Sequence, residues 1–188
     1  PLNAAISSAV KKILGHHPML VGSGIKTGMN ILMDNPKTVG SDLIVDAVAA
    51  IRDYPCPIII IDMGTATTMS VVDPSGNYIG GTILPGLRIS LDTLSSKTAQ
   101  LPSISLDIPK KVIGKNTIDC MRSGIVYGTA AMLDGIIDRI RGEFPGKELH
   151  IVATGGSAPF IVKFCRNKIL YDKTLLMKGL WAIYKRNQ

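Results

Sequence analysis

Three cysteines, Cys56, Cys120 and Cys165, are all that the 188 residues contain. They are odd in number and far apart, which excludes both a disulfide framework and a zinc-binding pattern, and a reducing cytoplasm with free buried thiols is expected. No apolar run approaches the ~18 residues of a membrane span, and no secretory signal is visible. The chain begins at Pro1 rather than Met, so a processed start or further upstream residues are expected. There is no internal repeat and no low-complexity tract. The glycines at 22, 24 and 28 do not have the GxGxxG spacing of a dinucleotide fingerprint. A net charge of +7 raises nucleic acid and membranes as partners. The basic residues are scattered, however, with dense pairs only at Lys110-Lys111 and Lys185-Arg186, and no helix-turn-helix or basic stripe accompanies them. A solvated surface that also helps with anionic nucleotides is the reading that remains.

What is present supports a packed core: 46% of residues are hydrophobic and 19% charged, enough for one large or two small domains. The central stretch is Ile58-Ile59-Ile60-Ile61-Asp62-Met63-Gly64-Thr65-Ala66-Thr67-Thr68. Four consecutive isoleucines predict a strand buried on both faces. A carboxylate at its end is costly unless it meets a cation, a donor or water. Gly64 permits a tight bend, and Thr65, Thr67 and Thr68 supply hydroxyls for phosphate or a cation. A strand over Met69–Asp73, a turn at Pro74–Asn77 and a return strand over Tyr78–Leu84 complete a hairpin. Taken locally, this is also an ordinary hairpin with a polar corner.

Elsewhere, apolar spacing predicts helices at Leu2–Leu14, at Asp42–Ile51, around Leu87–Leu94, from Asn116-Thr117 to about Glu143, and at Leu175–Tyr184. In the last of these the apolar positions read as Leu176, Leu180 and Ile183. Short strands are expected at Met19–Val21, ended by Gly22-Ser23-Gly24, and at Leu149–Ala153. The break at Arg52–Pro57 reads as a boundary, and residues 95–109 as a long irregular segment. The pair Arg88 and Asp92, four apart, has a plain structural use. On local evidence Asp42 at a helix start reads as a cap, and Asn116 with Asp119 reads as a cap that leaves Thr117 structural. Gly124, Gly128 and Gly135 lower helix propensity and call for close packing of another backbone.

The ordered set Asp62–Thr68, Gly80–Arg88, Thr98–Pro102, Gly114–Thr117, Ser123–Gly128 and Ala153–Gly156, with Gly24–Gly28 and Asp34–Pro36 upstream, resembles the type III pantothenate kinases along nearly the whole chain. The resemblance implies an α/β fold of the actin-like and sugar-kinase superfamily, with ribonuclease-H-like lobes, each a mixed sheet flanked by helices. Residues 1–54 would be the remainder of a first lobe and 55–188 the second. It implies ATP-dependent phosphorylation of pantothenate, the first step of coenzyme A synthesis, by a homodimer using ATP with Mg2+ and a monovalent cation, K+ or NH4+. Each lobe of the superfamily opens with an acid–glycine corner. Only one is found here, so the chain is expected to be the back portion of a longer enzyme.

Residue by residue, the resemblance makes Asp42 the general base within Gly40-Ser41-Asp42-Leu43, which would contact the substrate together with Thr117. It makes Asp62 the monovalent-cation ligand, Gly64, Thr65 and Thr67 part of the ATP phosphate site, and Gly155 and Gly156 the border of adenine. Two departures stand out. Leu43 occupies the place of the family's arginine, and Met33 that of its usual tyrosine. Losing one charge-assisted hydrogen bond to the pantothenate carboxylate costs roughly 1.5–3 kcal/mol, about one to two orders of magnitude in affinity. A catalytically impaired relative acting as a nucleotide-binding or regulatory protein, or a kinase of another small alcohol, is therefore the alternative reading. DNA binding is more distant, since some family members were labelled accessory transcription factors.

Overall fold

The computed structural model describes residues 2–22 and 24–188. The chain builds one five-stranded mixed sheet around the isoleucine run. The strands are β1 (Ile58–Met63), β2 (Ala66–Val72), β3 (Tyr78–Pro85), β4 (His150–Thr154) and β5 (Leu170–Tyr171), ordered β3-β2-β1-β4-β5. β1 pairs antiparallel with β2 and parallel with β4, and β4 pairs parallel with β5. The helices are α1 (Leu2–Leu14), α2 (Ser41–Asp53), α3 (Leu87–Lys97), α4 (Thr117–Gly142), α5 (Ala158–Ile161) and α6 (Leu175–Arg186).

Strand alternation distributes β1 to two cores. Ile59, Ile61 and Met63 pack with Met69, Leu91, Leu133 and Ile137 on the α3–α4 side. Ile58 and Ile60 pack with Ala47, Val72, Tyr78 and Val152 on the α2 side. None of the four isoleucines is more than 2% exposed. Each contributes about 1.5–3 kcal/mol of burial, which is why β1 tolerates no polar residue until its last turn toward solvent. Asp62 follows the alternation onto the α2 side.

The α4 helix begins as expected, with the Asn116 side chain accepting from the Asp119 amide at 2.9 Å. Among the described residues no other backbone packs on Gly124 or Gly128, and Gly135 has the Arg139 guanidinium nearby. The buried stripe of α6 is Leu175, Gly179 and Ile183, whereas Leu176 and Leu180 are exposed. The stripe differs from the one that apolar spacing predicts because a glycine carries part of the contact. A Cβ at Gly179 would lie 2.0 Å from the Val45 carbonyl oxygen, so α6 lies directly against the α2 backbone.

Residues 19–21 form no strand, since among the described residues they find no neighbour to pair with in the sheet. Ser23, in the glycine segment expected to end that strand, lies outside the described residues. β2 starts at Ala66 rather than at Met69, which shortens the corner to Gly64 and Thr65. β5 has two exposed residues and hence no alternation to read. All three cysteines are free, but none is fully buried: Cys56 and Cys165 are half-buried and Cys120 is exposed. Among the described residues, Arg88 and Asp92 form no ion pair, and no helix is long and apolar enough to cross a membrane.

Gly179→Ala is expected to lower stability by about 1–3 kcal/mol through overpacking against α2. Gly142→Ala, with open space around it, should shift it by less than about 1 kcal/mol and in the stabilising direction. Urea unfolding of the two variants checks this, and equal effects would contradict the α2–α6 contact.

Candidate functional site

The site forms where β1 and β4 end together. Asp62 lies opposite Thr68 on β2 and opposite Thr154 on β4, so the three side chains share the α2 face of the sheet. The turn after β4 closes onto this end. Gly155 has φ +90°, and a Cβ there would lie 2.6 Å from Asp62 Oδ1 and 2.7 Å from the Met63 backbone. Only glycine fits that conformation and that approach. The Ser157 amide then donates to the Met63 carbonyl at 3.2 Å, tying the two turns together. The corner itself is equally close-set: the Gly86 amide donates to the Thr65 carbonyl at 3.2 Å, and a Cβ on Gly86 would lie 2.2 Å from that oxygen.

A cleft of about 410 Å³ opens here, lined by Asp42, Asp46, Asp62, Thr154, Gly155, Gly156, Tyr171, Lys173 and Leu176. Four residues singled out from the sequence, Asp42, Asp62, Gly155 and Gly156, are thus brought together from α2, β1 and the β4–α5 turn. Gly40 precedes α2, and a Cβ on it would lie 2.5 Å from Asp42 Oδ1, which also accepts from the Leu43 amide at 3.0 Å. Ser41 lines a different cavity, of about 390 Å³, with Val21, Ile25 and Lys37. Leu43 and Met33 both pack against the α2-side core. Gly64 and Thr65 form the exposed β1–β2 corner, while Thr67 is buried on the opposite, α3–α4 face of the sheet. Thr117 lines a separate depression of about 550 Å³ with Gln100, Pro102, Asn116 and Arg122, away from the Asp42 cleft.

Among the lining residues that sequence reasoning does not assign to the site, two are charged, Asp46 and Lys173. Asp46 follows Asp42 by four positions, one helical turn along the same face, and that spacing is a usable signal. Lys173 carries no such signal, because the two-residue strand β5 is what delivers it. Asp46 is 2% exposed and its Oδ1 has no hydrogen-bond partner among the described residues. Burial first, then the charges of Asp62, Asp42 and Asp172, push its carboxyl up to about 7. Burial and the Asp42 charge also raise Asp62 above the ordinary carboxylate range. Asp172 shows the opposite balance. Burial raises it, but hydrogen bonds from Lys178, Tyr54 and Thr174 outweigh burial and leave it at about 2.

The cleft can therefore take cations on its acidic floor and stabilise a proton on Asp46 near neutrality. Among the described residues no three His, Cys, Asp or Glu side chains converge closely enough to hold a metal by themselves. Any cation here would need oxygens from its ligand or from water to complete its shell.

Because the folded value of Asp46 lies above its unfolded 3.8, its contribution to stability is fully present below about pH 4 and lost as pH rises through about 7. Asp46→Asn removes that loss. The variant is expected to gain, relative to the native protein, on the order of 2 kcal/mol more at pH 8 than at pH 5, or about 4–8 °C. Thermal unfolding at the two pH values checks this, and a pH-independent difference would contradict it.

The sequence has clear relatives. A protein from Rhodococcus erythropolis named type III pantothenate kinase is 42% identical over 183 residues, 95% of this chain and 68% of its own. One of the same name from Halalkalibacterium halodurans is 43% identical over 187 residues, 100% of this chain and 73% of its own. The chain thus spans about two thirds to three quarters of their length. Among solved structures, a conserved Campylobacter jejuni protein described as a Baf family transcriptional activator superposes with a TM-score of 0.54 at 21% identity, covering 85% of this chain and 68% of the other. That likeness shows the fold alone. With the sequence model of type III pantothenate kinase matching residues 1–139, and identity above 40% along nearly all of its length, the chain belongs to the type III pantothenate kinase family.

Proposed function

We propose that the protein transfers the γ-phosphoryl group of ATP to the hydroxyl of pantothenate, giving 4'-phosphopantothenate for coenzyme A synthesis. The observation that carries this reading is the placement of the exposed Asp42 carboxylate over the cleft whose floor is Asp62 and whose wall is the Gly155-Gly156 turn.

Phosphoryl transfer asks the protein mainly to position the reactants and to stabilise charge. Asp42, on the first turn of α2, orients the pantothenate hydroxyl and accepts its proton. The Gly64-Thr65 corner, with Thr67 bracing it from the buried side, approaches the phosphates. Gly155 and Gly156 border the adenine. Gly40, Ser41 and Leu43 shape the substrate side of α2, and Thr117 supplies a further substrate contact. Magnesium arrives with ATP.

A monovalent cation, K+ or NH4+, fits at Asp62. Its half-buried carboxylate lies beside the Thr68 hydroxyl on the same sheet face, and that buried hydroxyl has no partner among the described residues. An oxygen-only donor set of this kind suits a hard cation, which would offset phosphate charge when bound. We assign residues 1–54 and 55–188 to two lobes, and a homodimer acting in the cytoplasm, on the strength of the same family reading.

The test is pantothenate-dependent ADP release by the full-length protein in potassium and in sodium. Turnover requiring both pantothenate and potassium is expected, and Asp42→Asn should lower kcat by about 10²–10⁴ without abolishing ATP binding. ATP binding without any pantothenate-dependent turnover in the native protein would overturn the reading.

A further inference from the structure

The cleft has an imbalance of charge. Three carboxylates line it, and Lys173 is the one basic side chain among its lining residues. A polyanionic ligand meets repulsion there unless a cation faces it. The two lysines of this region divide the work. Lys178 is committed, with its ammonium 2.6 Å from Asp172 and 3.3 Å from Asp53. Lys173 takes no part in these pairs and is exposed at the cleft.

The backbone that carries Lys173 is held firmly. The Asp172 amide donates to the Ala153 carbonyl at 2.8 Å. The Asp172 carboxylate accepts from the Thr174 amide and hydroxyl, each at 3.0 Å, and from the Tyr54 hydroxyl at 2.9 Å. Asp172 thus fixes the chain on either side of Lys173 and draws Lys178 away, while Lys173 projects from an anchored turn. Anchoring the stem lowers the ordering cost of a contact made by the head group, and a lysine ammonium suits phosphate or carboxylate as a compact point charge.

We infer that Lys173 binds the anionic oxygens of a substrate in this cleft, the phosphates of the nucleotide or the carboxylate of pantothenate. This rests on the kinase reading above. It also supplies a cation to a site in which Leu43 is uncharged and packs, half-buried, against the α2-side core.

The test is equilibrium binding of magnesium-ATP and of pantothenate, each alone, by calorimetry, with turnover measured in parallel. The proteins compared are the native protein, Lys173→Met, Lys173→Arg and, as a control at an exposed remote position, Lys147→Met. Lys173→Met is expected to weaken one of the two ligands by about tenfold to a hundredfold. Lys173→Arg should restore most of that affinity, and Lys147→Met should change nothing. A loss confined to magnesium-ATP assigns the contact to phosphate, and a loss confined to pantothenate assigns it to the carboxylate. Unchanged affinity for both ligands in Lys173→Met overturns the inference. A native protein that binds magnesium-ATP but does not turn over pantothenate sinks the kinase reading, while the nucleotide arm still decides the role of Lys173. Binding of neither ligand by the native protein overturns both.

Discussion

Burial of β1 from both sides is the constraint on which the rest depends. Its isoleucines face two separate cores, one toward α4 and one toward α2, and its two edges are taken by β2 and β4. A strand so enclosed has no freedom of register, because a slip by one residue would exchange the two cores. The end of β1 is therefore a fixed point. Asp62 emerges there toward α2, and the turn after β4 is drawn so close that Gly155 is the one residue type that fits beside it.

The cleft built on this point works against stability. Two carboxylates from α2 and one from β1 share it, and Asp46 is buried with an oxygen that none of the described residues satisfies. A short distance away, Asp172 is comparably buried and fully served by Lys178, Tyr54 and Thr174. The same side chain is thus satisfied where it holds the fold together and left wanting where a ligand would enter. Local conflict of this kind collects at functional sites, and the surrounding packing sustains it. Here the sustaining contacts are the α2–α6 approach at Gly179 and the two cores around β1.

Much of this architecture is legible in the amino-acid order. The isoleucine run, the hairpin after Asp62 and the Asn116 cap follow local rules that tertiary contacts reinforce. Where sequence and structure part, the causes are physical. Hydrophobic periodicity points to Leu176 and Leu180 on α6 because it does not register Gly179, which is buried for its smallness rather than its apolarity. Met19–Val21 has strand-like composition but no partner strand among the described residues, and a strand exists only as part of a ladder. The spacing of Asp46 to Asp42 places both on one helix face, but spacing along one helix does not reveal which residues of other elements that face will meet.

By itself the sequence determined which segments are helix and strand around the core, the acid–glycine corner at Asp62, the diglycine turn at Gly155 and the kinship to a family, because these are encoded in short windows of side-chain type and order. Tertiary structure alone decided that Asp42, Asp46 and Asp62 share one cleft with Lys173 while Thr117 lines another, and that Leu43 packs inward. Those outcomes depend on how α2 seats against the sheet and where β5 ends. Both are set by contacts between residues more than a hundred positions apart, such as Tyr54 with Asp172, which no local pattern can express.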